Sequence, residues 1–139
     1  MSRLALAGIV GHAGHNGLYR LAPGIAPAGV IRVPGRAMTG KPAMLGALAG
    51  ALDFPDWFGL NWDALADCLG DLSWHDGGVA LLIDEAGVPE TSAPEDWGIL
   101  LDILAEAARD WQARGRAFAV FLQGGHAAYP LVAGSAPAV

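Results

Sequence analysis

Three aspartates, Asp63, Asp67 and Asp71, recur at intervals of four in the stretch FPDWFGLNWDALADCLGDLSW (residues 54–74). On a helix that spacing puts their carboxylates on one row. Three chemistries use such a row. A pair of close carboxylates can do acid–base work on a glycosidic bond. That needs a cleft to separate their pKa values, and a shared helix face points outward, so catalysis is not expected. Acidic rows can hold metal, but no His or Cys cluster with ligand spacing accompanies this one. The third use is recognition of a cationic partner. Other reactive residues carry less. His12 and His15 have the spacing of a metal pair but stand in a glycine-rich stretch that reads as a turn. His75 and His126 are isolated and read as surface residues. Cys68 is the single cysteine and has no His at a readable spacing, so it is expected to be a small buried residue rather than a nucleophile. No metal, cofactor or catalytic group is expected.

The aspartates need an element to present them. Asn61 is a good N-cap for a helix from Trp62 to about Leu72, with Asp63 in its first turn, where the helix dipole favours an anion. At 100° per residue, Trp62, Leu65, Leu69 and Leu72 fall within a sector of about 80° and form the core stripe, with Cys68 at its edge. Trp62 can serve as core edge or as interface rim. The opposite side carries Asp63, Asp67 and Asp71, with the small residues Ala66 and Gly70 beside them. Like charges on one row cost a few tenths of a kcal/mol per pair and bring no helix benefit, so local stability does not explain them. Before the helix, Pro55 opens a short turn, PDWF, and Gly59 closes it. Trp57 and Phe58 therefore enter the same region. An aromatic anchor beside uncompensated charge is a common composition of interface hot spots.

Charge distribution extends the argument. The chain of 139 residues has a net charge of −6; thirteen of its fourteen acids lie between Asp53 and Glu106, and no Lys or Arg lies between Lys41 and Arg109. Such a middle repels phosphate backbones, so direct nucleic-acid binding is not expected. The apolar content of 53% supports one compact domain. No run reaches membrane-span length, and the apolar run Leu4 to Val10 is short for a signal peptide and reads as a strand. A lone cysteine fits a reducing cytoplasm.

Around the acidic helix, the pattern reads as α/β. GVIRV (Gly29–Val33) is a strand ended by Pro34-Gly35. A helix capped by Thr39 runs from about Gly40 to Leu52. GVALLID (Gly78–Asp84) and AFAVFL (Ala117–Leu122) are strands buried on both faces. A loop containing Pro89, Ser92 and Pro94 leads to a long helix from about Pro94 to Arg114, whose Trp97, Leu100, Leu101, Leu104, Ala108 and Trp111 keep helical spacing and are expected in the core. GLYRL (Gly17–Leu21) is expected as one more edge strand, and the tail after Gln123 as irregular. A parallel sheet follows from strands alternating with helices.

The ordered set Pro55, Trp57-Phe58, Gly59, Asn61, Asp63-Ala64-Leu65 and Asp67-Cys68-Leu69 closely resembles the barstar family of intracellular ribonuclease inhibitors. Element order extends the resemblance more weakly from about Gly29 to Leu122. It implies a three-stranded parallel sheet packed with helices over 28–123, with 1–27 as an N-terminal extension and 124–139 as a tail. It also implies that the chain is no enzyme but a monomer when free that blocks a basic, extracellular-type guanyl ribonuclease with this helix and its preceding loop. Asp67 then takes a substrate-phosphate site among the enzyme's cations, Asp63 is its partner one turn earlier, and Trp57 is the family aromatic. Gly59, Asn61, Trp62, Ala66 and Gly70 complete the expected contact surface. The sequence departs from the family pattern at Ala66, where a bulky aromatic is usual, at Gly70, where a hydroxyl is, and at Leu60, where an acid is. A second acidic contact is expected near Asp110. The same surface would also suit an antitoxin-like or regulatory module for a basic partner that is not a ribonuclease.

Overall fold

A computed structural model describes residues 9–10, 13–25, 28–55, 59–72 and 78–132. In chain order the elements are β1 (Gly17–Leu21), β2 (Ile31–Pro34), α1 (Lys41–Leu52), α2 (Trp62–Asp71), β3 (Val79–Asp84), α3 (Gly87–Ser92), α4 (Pro94–Ala113), β4 (Phe118–Gln123) and β5 (Leu131–Val132). The five strands form one sheet in the order β2-β3-β4-β1-β5, and every pairing is parallel.

The α/β class and the parallel sheet agree with the sequence, but the strand number does not. Five strands stand where three, with one more at the edge from GLYRL, were expected. GLYRL is not an edge strand: Gly17–Leu21 pairs with Ala119–Gln123 on one side and, through Arg20 and Leu21, with Leu131 and Val132 on the other. The short β5 also interrupts the tail that was expected to be irregular. Gly40, not Thr39, is the N-cap of α1. The stretch around Pro89 is a short helix rather than a loop. Of the expected strand at Leu4–Val10, only Ile9 and Val10 are described, and they form a turn.

Period-two alternation gives the sheet two buried faces. Leu18, Val33, Leu81, Ile83, Phe118, Val120 and Leu122 point to the helical side, where Leu45 and Leu48 of α1, Leu65 and Leu69 of α2, and Leu100, Leu104 and Trp111 of α4 join them in one core. Tyr19, Leu21, Ala80, Leu82, Ala119, Phe121 and Val132 form a second core on the other side, with Ile9 buried among them and Val10, Ile25 and Val30 packed against it. Tyr19 stacks on Phe121 with ring centroids 5.8 Å apart, and its hydroxyl donates to the carbonyl of His15 at 2.6 Å.

Both ends of the sheet are tied by polar groups. Asp84, at the end of β3, accepts from the Gly35 N–H at 3.1 Å and pairs with Arg32 at 3.1 Å. A Cβ at Gly35 would overlap the carbonyl oxygen of Asp84, so only glycine lets the chain turn this close to β3. At the other end, the Asn16 side chain accepts from the Phe118 N–H and donates to the carbonyls of Ala108 and Arg116, fastening the start of β1 to α4 and β4.

Candidate functional site

The helix α2 is pinned at both ends. At its start the Asn61 Oδ1 accepts from the Ala64 N–H at 2.7 Å, and Asn61 has extended backbone, as an N-cap requires. At its end Leu72 is left-handed and its N–H donates to the Cys68 carbonyl at 3.0 Å. Two side chains from the α4 region take further carbonyls there. The Trp111 indole N–H donates to Leu69 O at 2.9 Å, and an Arg114 Nη2 donates to Gly70 O at 2.8 Å. That guanidinium sits at the negative end of the α2 dipole. The Arg116 guanidinium lies over the Trp111 ring, 4.1 Å from its centroid, so the indole is held on both sides.

Between these anchors, Leu65, Cys68 and Leu69 are buried. Burial and the neighbouring carboxylates of Asp67 and Asp71 push the Cys68 thiol pKa upward, which keeps it a neutral, apolar-behaving group. Trp62 is half-buried at the edge of the main core, with the Lys41 ammonium 5.6 Å from its ring centroid. Asp63, Ala66, Asp67 and Asp71 are exposed on the opposite face, and Gly70 is half-buried beside them. Among the described residues, none of the three aspartates makes an ion pair. Their negative field is therefore uncompensated at close range.

Of the expected contact residues, the structure brings Asn61, Trp62, Asp63, Ala66, Asp67 and Gly70 together on α2 and its cap. Gly59 adjoins them, its carbonyl accepting from the Asn61 N–H at 2.8 Å. Trp57 lies outside the described residues. Leu60, next to the cap, is 59% exposed.

Across from Ala66 and Gly70, α4 supplies Ile103, Glu106, Ala107 and Asp110, and the six residues line a hollow of about 90 Å³. The hollow exists because the alanine and glycine on α2 leave that space unfilled. Asp110 thus stands beside the acidic face, as expected, and Glu106 joins it. The signal for Glu106 was present in the sequence: it lies four residues before Asp110, hence on the same side of α4. The hollow is far below the roughly 300–1,000 Å³ of small-molecule sites, and neither Asp63 nor Asp67 lines it. A carboxylate pair on an outward helix face has no cavity in which to hold a sugar. Among the described residues no group of three or more His, Cys, Asp or Glu could hold a metal, and no helix is long and apolar enough to cross a membrane.

The architecture is a parallel sheet with one helix-covered core, carrying a capped acidic helix that is braced by the long helix behind it. The family model of barstar, the barnase inhibitor, matches residues 28–123, well over half of the chain, and the protein belongs to that family. A search of curated protein sequences finds no match to the chain. The matched segment contains β2, β3, β4 and all four helices. Strands β1 and β5 lie outside it.

Proposed function

We propose that the protein binds a basic guanyl-type ribonuclease and occludes its active site with the outward face of α2. The observation that carries this reading is the exposed, unpaired row Asp63, Asp67 and Asp71 on a helix fixed at both ends. A pre-organised row loses little freedom on docking, so its charge can be spent on the partner's cations. Asp67 takes the place of a substrate phosphate among those cations, and Asp63 supports it from one turn earlier. Glu106 and Asp110 extend the negative surface across the hollow. Gly59, Asn61 and Trp62 form the rim on the N-terminal side, and Trp57 is a further partner contact by its place in the family pattern. Ala66 and Gly70 let the partner approach closely. In this reading the protein acts as a monomer in the cytoplasm of the cell that makes the nuclease.

Long-range attraction speeds encounter and fades as salt shortens the screening length to about 8 Å at physiological ionic strength. The test is titration into a barnase-type guanyl-specific ribonuclease at low and moderate salt, with RNA cleavage and binding read together. Stoichiometric loss of cleavage is expected. Asp67→Ala should weaken binding by about 3–5 kcal/mol, because it leaves buried partner cations unpaired. Equal binding by this variant would remove Asp67 from its role. Failure of the wild type to inhibit, with capture of another basic protein through the same face, would favour a regulatory or antitoxin-like module instead.

A further inference from the structure

A second cleft, of about 620 Å³, lies where α4 meets β1 and the segment entering β5. Its volume falls in the range of about 300–1,000 Å³ typical of small-molecule sites. Residues 105, 108, 109 and 112 of α4 face it, whereas 103, 106, 107 and 110 face the acidic hollow, so the two sites occupy different flanks of one helix. The cleft exists because of parts outside the family match. Leu18 on β1 and Tyr129 before β5 form its far wall, and neither belongs to residues 28–123.

Its lining divides by chemistry. Leu18, Ala105 and Ala108 give an apolar floor, and Arg109, Gln112 and Tyr129 bring a guanidinium, a carboxamide and a phenol to the rim. Among the described residues Arg109 makes no ion pair. The walls are rigid. Asn16 spends its whole side chain on three backbone groups, clamping β1 to α4 and to the α4–β4 connection. Gly17 beside it has a φ of +149°, which a residue with a side chain rarely adopts. A pre-formed cleft of this kind costs a ligand little reorganisation.

We infer that this cleft binds a small organic monoanion, a carboxylate on a compact planar apolar body. A guanidinium matches a carboxylate through two parallel hydrogen bonds. Leu18 and Ala108 close the floor, and the half-buried Ala105 and Tyr129 give an apolar ring a surface beside the guanidinium. One cation balances one negative charge. Burial, helped by the Asp102 carboxylate, raises the pKa of the Tyr129 phenol, which therefore stays neutral at the edge of the cleft. One guanidinium beside a neutral phenol favours a planar monocarboxylate over the dianionic form of inorganic phosphate. The assignment is independent of the ribonuclease reading, because it uses the other flank of α4.

The test is titration of benzoate into the full-length, isotope-labelled protein, followed by amide chemical shifts. Benzamide, as the neutral isostere, and inorganic phosphate are run in parallel. Saturable shifts at Gly17, Leu18, Ala113 and Tyr129 are expected, with a Kd of about 1–10 mM for so small a probe. Benzamide and the Arg109→Gln variant should each bind at least about tenfold more weakly, and Arg109→Lys should recover part of the loss. Absence of saturation up to about 50 mM benzoate, equal binding by benzamide, or tighter binding of phosphate would overturn the assignment. Should Arg109→Gln lose its dispersed spectrum, the comparison of benzoate with benzamide on the wild type decides alone.

Discussion

Two buried tryptophans on α4 offer a controlled test of how the acidic helix is held. Trp111 is fully buried and its indole N–H donates to Leu69 O, near the C-terminus of α2. Trp97, 4% exposed, is comparably enclosed, but its indole nitrogen has no hydrogen-bond partner among the described residues. Substituting phenylalanine at either site removes roughly 40 Å³ of side chain, which costs about 1 kcal/mol at the usual cavity rate. Trp111→Phe also takes from the Leu69 carbonyl the side-chain donor it has among the described residues, for a further penalty of about 1–3 kcal/mol. Trp97→Phe strands nothing and removes an orphaned donor. The expected losses are therefore about 2–4 kcal/mol for Trp111→Phe and about 1 kcal/mol or less for Trp97→Phe. For a chain of 139 residues the unfolding entropy is roughly 0.3 kcal/mol/K, so a 3 kcal/mol loss lowers Tm by about 10 °C. Urea unfolding measures both variants, and amide exchange at residues 69–72 reports whether the end of α2 loosens only in the first. Equal losses, within about 0.5 kcal/mol, would refute the claim that the indole bond anchors α2.

Asn61→Ala should cost about 1 kcal/mol of stability in the free protein through loss of the N-cap, while Asn61→Ser keeps most of it, as urea titration would show. Gly35→Ala should cost about 3 kcal/mol or more by thermal melting, because its Cβ would overlap the Asp84 and Glu85 carbonyl oxygens. The His126 backbone N–H and ring bind the Glu90 carboxylate and hold its pKa below the usual glutamate value. The stability this contributes is present above the unfolded-state value and is lost as pH falls through the lowered native one. Glu90→Gln should flatten that acid limb in melts run across pH, by less than about 1 kcal/mol since the pair is solvent-screened.

What the sequence made legible follows local chemistry. Asn61 announced its cap, and Leu65 and Leu69 announced the buried side of α2, because capping and period 3.6 are written in neighbouring residues. The long helix was equally plain from Trp97 to Trp111. Strand order was not. GLYRL looks alike at an edge or inside a sheet, and its neighbours are about a hundred residues away at Ala119–Gln123 and next to Leu131–Val132. Two residues after a proline carry no periodic signal, so β5 was invisible. Gly87 and Pro89 read as punctuation, yet proline is tolerated in a first helical turn, and there it lies in α3. The i, i+4 spacing put Glu106 on the same side of α4 as Asp110, but that this side meets Ala66 and Gly70 is a long-range contact that no local spacing records.

The second core, on the side of the sheet away from the helices, separates two boundaries that usually coincide. The inherited segment covers 28–123, but Leu82 and Phe121 within it are sealed by Ile9, Tyr19, Leu21 and Val132 from outside it. A fragment trimmed to the family limits would bare a greasy sheet surface and leave β4 as a raw edge, open to strand addition by a second copy. The segment that matches the family model is therefore smaller than the unit of folding. Homology-guided truncation would yield an aggregating piece rather than a minimal inhibitor.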